Sequence, residues 1–219
     1  MNNLITIQKA TEEDIDIIIE SIIESSRNNT DRISYCKIFN ISLMEFQNIL
    51  RLILLEDIPG HEFCLSHFLV AKINGLNVGS CCSWIEAIDD LPSSLIKFNL
   101  LYHHLKEENI EYSKTISPLI KGIQITREKL CLQIESVFVN EDFRGLGIST
   151  KIINEHFRLN KINHPTTNKS QLIVAKGNES ALNVYKKLGY VTIREFNFDD
   201  IEALSILPAN CFVLMEKDL

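Results

Sequence analysis

The chain has 219 residues, 45% of them hydrophobic and 23% charged, with only 8 glycines and 5 prolines, which is the balance of a globular protein able to bury one good core. Its formal net charge of -7 argues against a surface built for a nucleic-acid backbone, which needs clustered Lys and Arg. An acidic surface draws cationic partners instead.

No stretch approaches the roughly 18 uninterrupted apolar residues of a membrane span. Met1-Asn2-Asn3-Leu4 lacks the basic flank and apolar run of a secretory leader. The expectation is therefore a cytoplasmic protein with no nucleic-acid or membrane partner. Its six cysteines then read as reduced thiols, with Cys81 and Cys82 adjacent and Cys36, Cys64, Cys131 and Cys211 scattered in apolar context. His61, Cys64 and His67 lack a second ligand pair at zinc-site spacing, so no metal is expected.

Length favours one domain over residues 1–219, carrying an insertion. Leu4 to Gln8 alternates as a first strand, and Thr11 with Asp14 makes a capping-box start for a helix through Ile15, Ile18, Ile19, Ile22 and Ile23. Leu43, Phe46, Leu50, Ile53 and Leu54 give a second apolar helix face. Phe63 to Ile73 and Asn77 to Glu86 read as a hairpin around Asn74-Gly75, the strongest short turn signal. A polar, helical insertion from Asp89 to Lys129 then interrupts the strands, with Leu95, Phe98, Leu101, Tyr102 and Leu105 at helical spacing. Beyond it the pattern predicts a strand over 130–139, a helix through Ile148, Ile152, Ile153 and Phe157, a strand over 172–175, a helix over 180–188, and strands over 190–196 and 211–216. This alternation predicts an α/β fold with a partly parallel sheet and helices on its faces.

The informative stretch runs from Ile134 to Ser149. A strand enters a turn containing Arg144, Gly145 and Gly147, and the turn leads straight into a helix. Glycines let backbone approach an anion, a helix N-terminus presents unpaired N–H groups, and a guanidinium suits phosphate oxygens. The unit reads as a pyrophosphate cradle. A Rossmann loop would need a third glycine where Thr150 stands, and a P-loop would need Gly-Lys-Ser/Thr, which is absent.

About 30 residues on comes Asn178-Glu179-Ser180-Ala181-Leu182-Asn183-Val184-Tyr185-Lys186-Lys187-Leu188-Gly189-Tyr190. Arg-Gly-Leu-Gly-Ile-Ser followed by Asn-x-x-Ala-x-x-x-Tyr-x-x-x-Gly-Tyr resembles the coenzyme A-binding core of the GNAT superfamily of N-acetyltransferases. The likeness covers roughly Leu130 to Phe196. Ser149 departs from the family's Gly or Ala, a small residue for a smaller one.

The resemblance implies a mixed, splayed sheet with the insertion between the third and fourth strands. It also implies acetyl-CoA as cosubstrate, with direct transfer of the acetyl group to a primary amine. The main chain of Val137, Phe138 and Val139 would meet the pantetheine arm, and the amides of Arg144, Gly145, Leu146, Gly147, Ile148, Ser149 and Thr150 the pyrophosphate. Asn178, Asn183 and Tyr185 would line the same cosubstrate. Glu135 is the candidate general base, with a solvated or salt-bridged strand glutamate as the alternative. Alternation puts its neighbours Ile134 and Ser136 on the opposite face. Tyr185 is the candidate acid for the departing sulfur, with a buried helix aromatic as the alternative. Trp84 and Glu86 are candidates for the acceptor side, Trp84 being otherwise a core residue. Two other readings are open: an acyl-CoA-binding module without turnover, and a protein or peptide N-acetyltransferase. The acceptor's identity and the assembly state, a homodimer included, are left open by the sequence.

Overall fold

The computed structural model describes residues 4–219; Met1 to Asn3, on which the expectation of no leader partly rests, lie outside the described residues. In chain order the elements are β1 (Ile5–Lys9), α1 (Ile15–Arg27), α2 (Ser34–Phe39), α3 (Leu43–Glu56), β2 (Phe68–Ile73), β3 (Leu76–Ile85), α4 (Ser93–His104), α5 (Glu107–Thr115), α6 (Ser117–Ile123), β4 (Leu132–Val139), α7 (Ile148–Asn163), β5 (Lys169–Ala175), α8 (Glu179–Lys187), β6 (Val191–Asn197), α9 (Ile201–Ile206) and β7 (Cys211–Asp218). The strands form one mixed sheet ordered β1-β2-β3-β4-β5-β7-β6, and the predicted insertion is the run α4 to α6. No helix among the described residues is long and apolar enough to cross a membrane.

Local chemistry explains most boundaries. The Asp14 carboxylate accepts from the Thr11 N–H at 3.0 Å and pairs with Lys72 at 2.9 Å, so the start of α1 is tied to β2. Asn74 and Gly75 have φ of +52° and +80°, the positive pair that a two-residue hairpin turn requires. The hairpin's first strand begins at Phe68, not Phe63 as predicted. Asp57 accepts from the Ser66 N–H at 2.7 Å and from Cys64 Sγ at 3.0 Å, curling the chain into a turn over Leu65–His67.

Helices cover both faces of the sheet. On one, α1 to α4 pack their apolar sides with Phe68, Cys82 and Trp84. On the other, Ile148, Ile152 and Ile153 of α7 and Leu182 and Tyr185 of α8 pack over Leu69, Cys81, Ile134 and Leu172. Two irregularities in β4 interrupt this layered arrangement. Beside β3, Cys82 faces Glu135 and Ser80 faces Phe138, so Cys81 opposes both Ser136 and Val137, a bulge whose Ser136 has φ +51°. Beside β5, the parallel pairing consists of Leu132 with Ser170 and Gln133 with Gln171, after which the strands part. The splay therefore opens at Ile134, just before the bulge. Gly79, opposite Val139, is required for the close approach of β3 there: a Cβ would sit 2.6 Å from the Phe138 carbonyl oxygen.

Candidate active site

The mouth of the splay is the loop from Val139 to α7. Asn140 Oδ1 accepts from the Asp142 N–H at 3.2 Å and starts a single turn over Glu141–Phe143. Arg144 follows, its Nε donating to the Val139 carbonyl at 3.3 Å and its Nη1 pairing with Glu141 at 3.1 Å, with the guanidinium exposed. Gly145 and Gly147 have φ of +82° and +71°, and a Cβ on either would meet no atom within 4 Å. The N–H of Lys151 bonds back to the Gly147 carbonyl, so the amides of Ile148, Ser149 and Thr150 lie ahead of the helix's own bonding and have no intrahelical acceptor. Free amides, two open glycines and a helix N-terminus are a combination that suits an anion.

Inside the splay the edge of β4 beyond Gln133 has no strand partner among the described residues. The Asn140 N–H donates to the Val78 carbonyl, so the peptides of Val139 and Val137 turn the other way, toward the side from which β5 has departed. Phe138, expected with them, is in register with Ser80 and buries its ring near Ile17 and Val70. Asn178 caps α8, its Oδ1 accepting from the Ala181 N–H at 3.2 Å. Asn183 is exposed on the same helix.

Tyr185 is buried beneath the bulge, edge-on to Tyr190 at 6.1 Å, and its hydroxyl has no protein partner among the described residues. Burial, with the nearby Cys81 and Glu135, pushes its phenol well above the ordinary tyrosine value. Tyr190 is itself buried and shares a hydrogen bond with Ser170 Oγ at 2.6 Å.

Glu135 lies before the bulge and emerges on the α1 side of the sheet. One of its oxygens is held by Arg127 Nη2; the other has no hydrogen-bond partner among the described residues. Arg127 comes from the end of the insertion. It also donates to Gln133 Oε1 at 2.9 Å and lies over the Trp84 ring at 5.1 Å. Burial works against its charge, but Glu135, Glu62 and Glu86 outweigh that and hold the guanidinium protonated. Beside it, Lys97 of α4 pairs with the buried Glu62 and lies over the rings of Tyr35, Phe63 and Phe98 at 5.4, 5.8 and 5.9 Å. Burial opposes ionisation of Glu62, yet Lys97 and Arg127 keep its carboxyl below the usual range.

Trp84 and Glu86 hold the insertion in place. Glu86 accepts from Trp84 Nε1 at 3.1 Å and from the Ser93 N–H, at the start of α4, at 2.9 Å, and both residues are buried. His61, Cys64 and His67 do not converge as ligands: His61 Nδ1 accepts from the Phe63 N–H, Cys64 bonds Asp57, and His67 donates to the His61 carbonyl. Sequence reasoning missed Arg127, Glu62 and Lys97. They are single charges in segments with no motif, brought together only by the packing of the insertion.

The sequence matches the acetyltransferase (GNAT) family over residues 37–190, and the chain belongs to that family. It is an acetyltransferase. Among curated proteins none matches the sequence. In fold it is similar to an N-acetyltransferase from Staphylococcus aureus Mu50, at 18% identity and TM-score 0.67, over 97% of this chain and 100% of that one. It is similar also to a structure described as an acetyltransferase, at 16% identity and TM-score 0.63, over 97% and 98% of the two chains. An agmatine N-acetyltransferase is similar at 9% identity and TM-score 0.60, over 98% and 99%.

Proposed function

We propose that this enzyme moves the acetyl group of acetyl-CoA directly onto a primary amine of a small molecule. The observation that carries the reading is the splay at Ile134. It exposes an unpaired strand edge between an amide-rich helix start at its mouth and two candidate catalytic groups, Glu135 and Tyr185, on opposite faces of the sheet.

The residues fit the cosubstrate. The amides of Gly145 to Thr150, with Arg144, would hold the pyrophosphate, and the peptides of Val137 and Val139 the pantetheine arm, while Asn178 and Asn183 stand at the start and middle of the facing helix. The cosubstrate supplies an acyl carbon activated as a thioester. Glu135 has one oxygen fixed by Arg127 and one free to take a proton from the acceptor's ammonium, directly or through one water, so that the neutral amine attacks the thioester carbon. As the C–N bond forms and the C–S bond breaks, Tyr185 can donate its phenolic proton to the departing sulfur, and the second proton lost by the nitrogen, released to water, restores the phenol. Its raised value makes it a weak acid, so its contribution is the smaller of the two. No nucleophilic side chain is required, and no acyl-enzyme forms. A small acceptor is favoured over a protein because the insertion packs Lys97 and Arg127 over the Glu135 side of the sheet.

The test is thermal unfolding with acetyl-CoA, followed by thiol release with a panel of amines. Ligand at ten times its dissociation constant stabilises by about 1.4 kcal/mol. An unchanged melting temperature at millimolar acetyl-CoA would defeat the proposal.

A further inference from the structure

The charges around Glu135 divide by origin. Its buried or half-buried carboxylates belong to the body of the fold: Glu62 from the segment after α3, Glu86 from the end of β3 and Glu135 from β4. The two cations that neutralise them, Lys97 and Arg127, both belong to the insertion. The groups form one electrostatic neighbourhood, since Arg127 acts on Glu62 and Glu86 as well as Glu135, and Glu135 acts on the Tyr35 phenol. Removed from the insertion, the body would present an anionic chamber next to the candidate base, with the rings of Tyr35 and Phe63 still lining it. Carboxylate and aromatic faces around an ammonium are the ingredients of an organic-cation site. In the structure Lys97 fills that place.

We infer that the acceptor is an organic dication, of the straight-chain diamine class, and that the insertion's Lys97 is an internal mimic of one end: the ligand's far ammonium replaces Lys97 on Glu62, while its reacting end meets the free oxygen of Glu135, whose other oxygen stays on Arg127. The inference rests on the reading of Glu135 as the acceptor-side base. The exchange follows from the cost of a bare buried carboxylate. Uncovering Glu62 without a replacement cation leaves an unpaired charge in a desolvated place, whereas the second ammonium of a dication restores the pair as the Lys97 side chain withdraws. A monoamine supplies no such replacement. An amino acid brings a carboxylate into a chamber already lined by three. The end on Glu135 then loses its proton and reacts, while the end on Glu62 remains an ammonium that fixes the ligand's orientation.

The experiment compares a straight-chain diamine, the monoamine of equal length and the amino acid of equal length. Binding to the full-length enzyme is followed by calorimetry in the presence of coenzyme A, and turnover by thiol release from acetyl-CoA. The diamine should bind about tenfold or more tighter than the monoamine, the worth of one added charge pair in a partly desolvated site, with the amino acid weakest. Glu62→Gln should reduce the diamine's advantage to about twofold or less. Lys97→Met, which removes the internal competitor, should tighten diamine binding several-fold with little change for the monoamine. Equal affinity for diamine and monoamine in the parent enzyme overturns the inference, as does a preference that survives Glu62→Gln. The parent's own selectivity decides the matter even where a variant fails to fold. Selective diamine binding without thiol release from any amine would sink the transfer reading and leave the cation site standing. Thiol release with amino acids or monoamines alone would do the reverse.

Discussion

Replacing Glu135 by Gln tests the proposed chemistry with little disturbance of the fold. The amide oxygen of Gln can take over the bond from Arg127 Nη2, and the NH2 group falls where the unpartnered carboxylate oxygen stood. Only the capacity to accept a proton is lost. The pair is partly screened, its side chains 14% and 25% exposed, so the stability cost should be about 1 to 2 kcal/mol, below the range for breaking a fully buried pair. Turnover should fall by roughly 100 to 10,000-fold, or about 3 to 5 kcal/mol in the barrier, the usual worth of a general base. Acetyl-CoA binding should be nearly intact, because the amide cradle lies at the far end of the splay. The assay is a pH profile of thiol release on one accepted amine. Raising the pH should partly rescue the variant, since more of the acceptor is then already neutral. Full activity with an unchanged profile would refute Glu135 as base and leave proton removal to water or to a residue of the insertion.

Four further outcomes are expected. Tyr185→Phe should lower turnover by less than Glu135→Gln does and leave the melting temperature nearly unchanged, because the hydroxyl has no protein partner to lose; a larger loss than that of Glu135→Gln would reverse the assigned weights. Gly147→Ala should weaken acetyl-CoA binding about tenfold and cost about 1 to 2 kcal/mol of stability, since its φ of +71° strains any side chain even where space is open; calorimetry and denaturant unfolding read the two effects separately. Ser136→Gly should be neutral to stabilising by about 1 kcal/mol, as glycine tolerates the φ of +51° at the bulge, whereas Ser136→Val should destabilise, both read by denaturant unfolding. Burial pushes His61 and His156 down to about 4 from 6.5, so the unfolded chain binds their protons first as pH falls. Stability should be full above pH 6.5 and decline toward pH 4, by up to about 3 kcal/mol for each histidine, and His156→Asn should flatten the decline.

The elements legible in the sequence were those with periodicity or punctuation. Ile15 to Ile23, Leu43 to Leu54 and Ile148 to Phe157 show a helical apolar face, and Asn74-Gly75 has the residues its turn demands. The glycine turn ahead of α7 was legible for the same reason: glycine at positive φ before a helix is a local requirement, written locally. Short helices such as α2 and α9 carry too few turns to display a period. Asp57, which delays β2 to Phe68, acts through a carboxylate nine residues away from the amide it binds.

The site itself depends on a feature that alternation cannot express. Up to Glu135 the odd-numbered side chains of β4 face α1 and the even-numbered Leu132 and Ile134 face α7. Past the bulge the order reverses, with Phe138 on the α1 side and Val137 and Val139 on the α7 side. An unbroken strand would carry Glu135, Val137 and Val139 on one face. The extra residue at Ser136 instead separates them, so the carboxylate emerges on the α1 side while the valines pack on the α7 side with Tyr185. Strain in a non-glycine residue at positive φ is thus located where the two proposed catalytic groups are divided between the faces, and the divergence of β5 at the same point leaves that strand edge without a strand partner among the described residues. Neither event is encoded by a motif in β4 itself. Both arise from the pairing of β4 with its two neighbours, which is why the glutamate could be named from the sequence while its guanidinium partner, 8 residues away and in another structural unit, could not.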